Sequence, residues 1–167
     1  MKKITALCFI SILCIGATAQ TLKTISKPAY SVKYPDTWTV DASTGAKQFT
    51  VNAPSDREGD VFTENVNMVS YAINGYNAKT YAAYSKTYLP QKVKNFKVLE
   101  EKAFTQGGKE GYYLVFTGKQ EGQLLKWKQV YFIVNGTGYV LTFTAQQTVY
   151  NKYIKTAAQI LSSFVIK

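Results

Sequence analysis

The chain has 167 residues and carries 20 lysine and arginine side chains against 10 aspartate and glutamate side chains, for a formal net charge of +10. It contains no histidine, and both cysteines, Cys8 and Cys14, lie within the first 19 residues. The remaining 148 residues have a single-domain length, and they lack the imidazole and thiolate groups that Ser-His-Asp and Cys-His catalysis and nearly all zinc and copper sites require.

The N-terminal segment has the layout of a secretory signal. Lys2 and Lys3 precede the apolar run Ile4–Ile15, and Ala17 and Ala19 form the small-residue pattern that signal peptidase accepts. This run is far shorter than the roughly 20 residues that cross a bilayer as a helix, which disfavours an uncleaved anchor. A leucine precedes each cysteine, where a lipoprotein signal has a small residue. We predict a signal peptide at residues 1–19, cleavage near Ala19, and an exported protein that is periplasmic or secreted.

Alternating apolar and polar residues predict three short strands at the start of a domain that we place at residues 29–167. They are the stretches "AYSVKYP", "TWTV" and "KQFTVNAP", which follow a polar lead-in at residues 20–28. A polar loop, Ser55–Asn65, comes next. The run Val66–Ile73 is apolar on both faces, which is typical of a central strand rather than an edge strand.

A helix is predicted after this strand. Tyr81, Tyr84 and Tyr88 recur at steps of three and four residues, which is the spacing of one helical face, and Pro90 should end or kink the helix. We expect the tyrosines to pack against the sheet, because this periodicity is primarily a burial signal. Stacking on carbohydrate is the alternative interpretation of the same spacing.

Four further strand-like runs follow, separated by the stretches "QGGK", "KQEGQ" and "NGTG". Glycine and asparagine in these stretches supply the positive φ angles that tight reversals require. We therefore predict an antiparallel meander with strands at Lys97–Thr105, Glu110–Thr117, Leu124–Val134 and Tyr139–Ala145.

The C-terminal stretch predicts a second helix, for which Thr148 is the expected N-cap. Its apolar residues fall on one helical face: Ile154, Ala157, Ala158, Leu161 and Phe164. Strands and helices are thus segregated along the chain. This order predicts an α+β domain with an antiparallel sheet whose apolar face is covered by helix.

Several stretches together resemble the PsbP-like superfamily, including its DcrB-like exported members. They are "YSVKYPDTWTV", "NVNMVSYAI" with the following "NAKTYAAYSKTYL", "GGKEGYYLVFTG", "YVLTFTA" and "ILSSFVIK". The resemblance implies an α/β/α sandwich around a central antiparallel sheet, in a non-enzymatic domain that binds or stabilises a larger protein assembly. It also implies that Tyr34, Pro35 and Trp38 form the tight corner of the first hairpin. It supplies no catalytic residues, and the binding surfaces differ between members.

Two locally dense basic patches are weak candidates for a binding site. The first contains Lys92, Lys94 and Lys97, and the second contains Lys126 and Lys128. Because the leader points to export, we expect an acidic protein, an anionic glycan or a peripheral anionic lipid surface rather than nucleic acid. A solvated surface is the favoured alternative, since lysines at a sheet edge also discourage aggregation.

The acidic residues suggest no catalytic pair. Glu100 and Glu101 are adjacent, so on a strand they project to opposite faces and cannot act together on one bond. The loop acids Asp56, Glu58, Asp60 and Glu64 are weak calcium candidates, because calcium prefers clustered oxygen ligands. Their spacing departs from an EF-hand, which favours a solvated loop.

These observations predict an exported, non-enzymatic PsbP-like domain that contributes to a cell-envelope assembly by contacting an envelope protein. We predict no metal and no cofactor. The alternative function is a binding module for an anionic or carbohydrate ligand, which would use exposed tyrosines and lysines.

Overall fold

The computed structural model describes residues 20–41, 47–55 and 58–167. Within these ranges the chain forms two α-helices, α1 at Ala78–Tyr88 and α2 at Tyr150–Ser162, and a 3-10 turn at Leu89–Gln91. The ten strands are β1 Leu22–Ser26, β2 Tyr30–Pro35, β3 Thr39–Asp41, β4 Lys47–Asn52, β5 Asn65–Ala72, β6 Lys94–Gln106, β7 Lys109–Gln120, β8 Gln123–Val134, β9 Thr137–Gln146 and β10 Val165–Ile166. The signal peptide that we predict at residues 1–19 lies outside the described residues. Neither described helix is long and apolar enough to cross a bilayer.

Seven strands form one antiparallel sheet in the order β3-β4-β5-β9-β8-β7-β6, and three form a small sheet in the order β1-β2-β10. The strand predicted at Val66–Ile73 is β5, and its place between β4 and β9 confirms that it is central. Strands β6 to β9 pair in chain order, which confirms the predicted meander. The chain is therefore an α+β protein, as its sequence indicates.

The tight reversals of the meander also form as predicted. The turn between β8 and β9 contains Asn135 and Gly136, with φ angles of 49° and 72°. Two consecutive positive φ angles produce the backbone twist that matches the right-handed twist of the paired strands. Glycine at the second position adopts this conformation without the steric cost that a Cβ would bring.

The two helices cover opposite faces of the large sheet and different halves of it. α1 packs on β7 and β8, whereas α2 packs on β9, β5 and strand β2 of the small sheet. The core on the α1 side contains Trp127 and Tyr131, and the core on the α2 side contains Leu141 and Phe143. This arrangement is the predicted α/β/α sandwich. α2 lies over β9 and β5 and also over part of β8, where Val130 and Phe132 are buried. Much of the α2-side face of β6 and β7 has no helix of the described chain over it.

The opening stretch does not form the hairpin predicted for it. β2 pairs with β1 and β10, while β3 pairs with β4 in the other sheet. The turn itself forms, since the N–H of Trp38 donates to the carbonyl of Pro35 at 3.0 Å, and the Trp38 ring is buried 6.2 Å from the Tyr153 ring. It carries the chain from one sheet to the other. The predicted polar lead-in at residues 20–28 contains β1, in which Ile25 alone packs on the core.

We predict that the tyrosine stripe of α1 packs against the sheet, and the structure bears this out only for Tyr81, which contacts the core on the α1 side. The side chains that α1 buries are Ala78, Ala82 and Ser85. Tyr84 and Tyr88 are 49% and 45% exposed, and Tyr81 is half-buried. Small side chains allow the helix to approach the sheet closely, and the same helical spacing then places the tyrosines on the flank.

Asn77 caps α1 in a reciprocal arrangement. Its side-chain oxygen accepts the N–H of Thr80 at 2.9 Å, and the Thr80 hydroxyl accepts the N–H of Asn77 at 2.9 Å. We expect Asn77→Ala to lower the free energy of unfolding by about 1 kcal/mol, because it removes the acceptor for a helical N–H. Urea denaturation measures this loss. Asn151→Ala, at an exposed position in α2, is the control and should cause none; equal midpoints for both variants would contradict the capping role.

The N-cap of α2 is Val149, which makes no side-chain capping bond, so the prediction that Thr148 caps the helix is wrong. The helix buries Tyr150, Tyr153, Ala157, Ile160 and Leu161. This face is rotated relative to the predicted one. Ile154 and Ala158 are consequently half-buried on its flank.

Candidate interaction surface

The two predicted basic patches lie on the same face of the large sheet. Directly opposed residues of antiparallel strands point to the same side, and so do residues two apart on one strand. Lys97 on β6 is opposite Thr117 on β7, and Thr117 is opposite Lys126 on β8. Lys128 follows Lys126 two residues later. The strand lysines of the two patches, Lys94, Lys97, Lys126 and Lys128, therefore lie together on the α2-side face of the sheet.

The strand register adds two lysines that sequence inspection misses. Lys102 is opposite Tyr113, and Lys119 is opposite Lys94. Each of the two is isolated in the sequence, so only the pairing of β6 with β7 brings them to the patch. We call the following set the open basic face: Lys94, Lys97, Lys102, Lys119, Lys126 and Lys128. Glu100 lies among them, opposite Val115, and Glu121 lies in the β7–β8 turn at one end.

Helix α2 forms one wall of a groove beside this face. The groove has a volume of about 290 Å³. Its lining consists of Phe104, Gln106, Tyr113, Lys128 and Val130 from the sheet and Ala158, Leu161 and Ser162 from α2. Apolar side chains therefore line most of a concave surface whose border carries positive charge.

Two lysines of the open basic face lie over tyrosine rings. The Nζ atom of Lys126 is 4.2 Å from the centre of the Tyr150 ring, and the Nζ atom of Lys128 is 4.4 Å from the centre of the Tyr113 ring. A cation over an aromatic face is attracted by the negative potential of the ring. Both lysines are half-buried, so the rings restrict the positions of ammonium groups that would otherwise move widely in solvent.

Glu100 is held by a tyrosine rather than by a lysine. The Tyr113 hydroxyl donates a short hydrogen bond to the Glu100 carboxylate, which together with partial burial raises the pKa of Tyr113 to about 12. Burial and the nearby Glu100 charge also raise the pKa of Tyr150 to about 12. Both phenols therefore keep their protons at neutral pH and can act as hydrogen-bond donors.

Positive charge is also concentrated at the end of the face that lies beside the β7–β8 turn. Lys92, which precedes β6, lines a depression of about 390 Å³ together with Lys94, Lys119 and Glu121. Lys94 and Lys119 oppose each other directly across the β6–β7 pair, where like charges repel. Among the described residues, the Glu121 carboxylate lies within 4 Å of none of these lysines, so the depression keeps an excess of positive charge.

The lysines of the open basic face have no acidic partner in the described part of the chain. Among the described residues, the single ion pair within 4 Å joins Lys86 and Glu101 at 2.7 Å. It lies on the other side of the sheet, against α1, and the bond from Lys86 lowers the pKa of Glu101. Glu100 and Glu101 thus project to opposite faces, which confirms the prediction that they cannot act as a pair.

The described acidic residues of the loop, Glu58, Asp60 and Glu64, do not converge on one point. Glu64 is buried, and its Oε1 atom accepts the N–H of Gln146 at 3.2 Å. Asp60 accepts the N–H of Phe62 at 3.3 Å, and Glu58 is exposed. Asp56 lies outside the described residues. Within those residues no three acidic side chains come together in a way that could hold a metal ion. Calcium binding by this loop therefore stays an untested alternative to the favoured solvated loop.

A cluster of tyrosines occupies the flank of α1 on the other side of the sheet. We call Tyr71, Tyr76, Tyr81 and Tyr84 the tyrosine patch. The rings of Tyr76, Tyr81 and Tyr84 lie within 5.9 Å of one another, centre to centre. The hydroxyls of Tyr71 and Tyr81 share a short hydrogen bond, and burial raises the pKa of Tyr71.

We expect the folded protein to lose stability at alkaline pH, because folding raises the pKa of several tyrosines. Folding raises the pKa of six tyrosines above 10, with burial as the main cause for five of them: Tyr30, Tyr71, Tyr112, Tyr131 and Tyr150. A raised pKa means that the folded state binds the phenol proton more tightly. The associated stability is complete below pH about 10 and is lost as the pH rises toward the folded-state values.

Urea unfolding at several pH values between about 8 and 12, with tyrosinate absorbance recorded in parallel, tests this expectation. Unfolded protein should ionise all 13 tyrosines near pH 10, whereas folded protein should ionise fewer. A free energy of unfolding that stays constant up to pH about 12 would contradict the assignment.

A seven-stranded antiparallel sheet with one helix on each face, and a small sheet beside α2, defines this chain as a protein of the PsbP-like fold. The solution structure of cyanobacterial PsbP from Synechocystis matches it with a TM-score of 0.66 and 13% identity, covering 92% of this chain and 97% of that chain. LpqN of Mycobacterium tuberculosis, described as involved in cell envelope biogenesis, also has a TM-score of 0.66, with 14% identity over 87% of this chain and 91% of that chain.

A protein of unknown function from Pseudomonas aeruginosa, PA94, matches with a TM-score of 0.58 and 14% identity over 87% of this chain and 97% of that chain. No protein-family model matches the sequence, and a comparison with curated proteins finds no match. Shared architecture at such low identity establishes the fold, which is the fold that the sequence resemblance implies.

Proposed function

We propose that the protein is an exported, non-enzymatic domain that contributes to a cell-envelope assembly through contacts with an envelope protein. The observation that carries this proposal is the open basic face. It carries six lysines that have no carboxylate within 4 Å among the described residues, and it borders a groove that has α2 as one wall and includes Lys128 in its lining. Such a surface is suited to binding rather than to chemistry.

The absence of histidine supports a non-enzymatic role, as does the arrangement of the acids. Glu100 accepts a hydrogen bond from Tyr113, and Glu101 lies on the opposite side of the sheet in an ion pair with Lys86. A pair of carboxylates flanking one bond, as in glycoside hydrolysis, therefore does not form at this position.

Two further observations support export and an envelope role. The sequence of residues 1–19 has the layout of a signal peptide, and the mature chain would lack cysteine. One structure with the same fold, LpqN, is described as involved in cell envelope biogenesis. We extend that context to this chain as part of the proposal.

Fractionation and affinity recovery test this function together. The full-length gene with a C-terminal tag is expressed in its own host, the N-terminus of the recovered protein is determined by mass spectrometry, and co-purifying molecules are identified. We expect a chain that begins after Ala19 and a recurrent envelope protein. A retained N-terminus, or recovery of glycans or lipids alone, would contradict the proposal.

Carbohydrate binding through the tyrosine patch is a second candidate function. The exposure of Tyr76 and Tyr84, with ring centres 5.8 Å apart, favours it, because exposed aromatic rings offer flat surfaces on which sugars can stack. Titration with neutral envelope oligosaccharides should change tyrosine fluorescence if this function is present. The response should disappear in Tyr84→Ala and persist in Tyr88→Ala, which removes an exposed tyrosine outside the patch.

A further inference from the structure

The geometry points to a specific occupant for the open basic face: an acidic segment of a partner polypeptide, lying in the groove between α2 and strands β6–β8. This inference rests on the proposed function and deepens it by naming the chemistry of the partner. Three features of the face carry it, namely its charge, its preorganised lysines and its concave shape.

One end of the face carries an excess of positive charge. Lys94 and Lys119 oppose each other across one strand pair, and Lys92 lines the same depression, in which Glu121 is the one acid. Within the described chain none of these lysines has a carboxylate within 4 Å. An acidic partner that approaches this end would replace repulsion between like charges with attraction, and electrostatic complementarity of this kind directs both the rate and the specificity of association.

Lys126 and Lys128 are positioned before any partner arrives. The rings of Tyr150 and Tyr113 hold their ammonium groups 4.2 and 4.4 Å away. A side chain that is already ordered loses less conformational entropy when it binds, which favours a defined contact over diffuse attraction. The Tyr113 hydroxyl meanwhile binds Glu100, so this acid is directed to a neutral donor rather than to a lysine.

The shape favours a polypeptide over a membrane surface. α2 stands beside the face as a wall, and the groove floor contains Val130 and Phe104, which a flat layer of lipid head groups could not reach. An extended or helical segment with apolar and acidic side chains could contact both the floor and the lysines. Addition of a strand to the β6 edge is less suitable, because register shifts interrupt β6 on both sides of Lys97 and would disturb continuous pairing.

The test uses the protein expressed from the full-length gene and isotope-labelled for NMR, with short poly-L-glutamate as the probe. One variant carries Lys97→Gln, Lys102→Gln and Lys119→Gln, which are exposed positions on the face. The matched control carries Lys23→Gln, Lys33→Gln and Lys79→Gln, exposed lysines elsewhere that change the net charge equally. Thermal unfolding verifies that both variants are folded. A variant with arginine at the three face positions retains the charge.

We expect probe-induced shifts at the amides of β6, β7 and β8, and binding that weakens as salt is added. The face variant should bind on the order of tenfold more weakly, while the control and the arginine variant should stay within about twofold of wild type. Equal weakening in face and control variants would overturn the inference, because it would show attraction to net charge alone.

Vesicles of phosphatidylcholine with phosphatidylglycerol provide the second arm. Binding to these vesicles without binding to poly-L-glutamate would overturn the inference in favour of a membrane surface. If the envelope partner from the affinity experiment is recovered equally well by the face variant, the proposed function stands and this inference fails. Loss of that partner from the face variant alone supports both.

Discussion

Gly118→Ala should destabilise the protein by about 3 kcal/mol, the upper part of the range for overpacking a well-filled site. A Cβ atom at this position of β7 would overlap Cγ1 of Val93 and lie 2.8 Å from the carbonyl oxygen of Lys94. A backbone carbonyl cannot move aside without disturbing the start of β6, where Lys94 pairs with Lys119. Urea denaturation of the variant and wild type measures the loss.

Gly138→Ala is the matched control, because it lies in another strand of the same meander, β9. Its Cβ would be 3.2 Å from Cγ2 of Ile73 and 3.3 Å from Cδ1 of Ile133, and both are side-chain methyl groups that can shift. The reduced entropy of the unfolded chain partly offsets this crowding, so we expect a change within about 1 kcal/mol. Equal losses for the two variants would show that close approach of the β6 backbone is not what requires glycine at position 118.

Phe143→Ala should have an effect of similar or greater size, about 3 to 5 kcal/mol. Phe143 on β9 has no exposed surface, and its ring centre lies 5.2 Å from that of Tyr150 at the start of α2. Removing the ring would leave a cavity between the sheet and the helix, which costs both the transfer free energy and the lost packing. The free energy of unfolding, measured by urea or heat, tests this expectation.

The control for Phe143→Ala is Leu124→Ala on β8. Leu124 is 59% exposed, so its truncation should change the free energy of unfolding by less than about 0.5 kcal/mol. A small effect at Phe143 would mean that α2 is not packed on β9 as described. The same variant should also loosen Tyr150, and with it the ring over which Lys126 lies.

The features that are predictable from the sequence are those encoded in local patterns. The apolar run of β5, the turn residues of the meander with the positive φ angles of Asn135 and Gly136, and the end of α1 before Pro90 each depend on neighbouring residues. These local signals suffice to predict the α+β class. The α/β/α sandwich is implied by the family resemblance, and the structure confirms it.

The features that escaped prediction depend on contacts between distant parts of the chain. β1 and β10 are short, and β2 pairs with them rather than with β3, so no local signal marks the change of sheet at Trp38. The tyrosine stripe of α1 has a perfect helical period, yet alanine on the adjacent face allows closer packing. Periodicity therefore identified the helix but not which of its faces is buried.

The candidate surface shows the same division. Lys126 and Lys128 stand out in the sequence because only one residue separates them, whereas Lys102 and Lys119 do not. Joining them into one face requires the register of β6 on β7 and of β7 on β8. It also requires α2 to leave much of β6 and β7 uncovered, which follows from its packing mainly on β9 and β5.

Site-specific photocrosslinking in the native host tests the central claim most directly. A photoreactive amino acid replaces Lys102 on the open basic face in one version and Lys79 on the exposed side of α1 in another. The account predicts that illumination joins an envelope protein to the chain from position 102 and not from position 79. Crosslinks from position 79 alone, or none from either position while the partner still co-purifies, would place the contact elsewhere and contradict it.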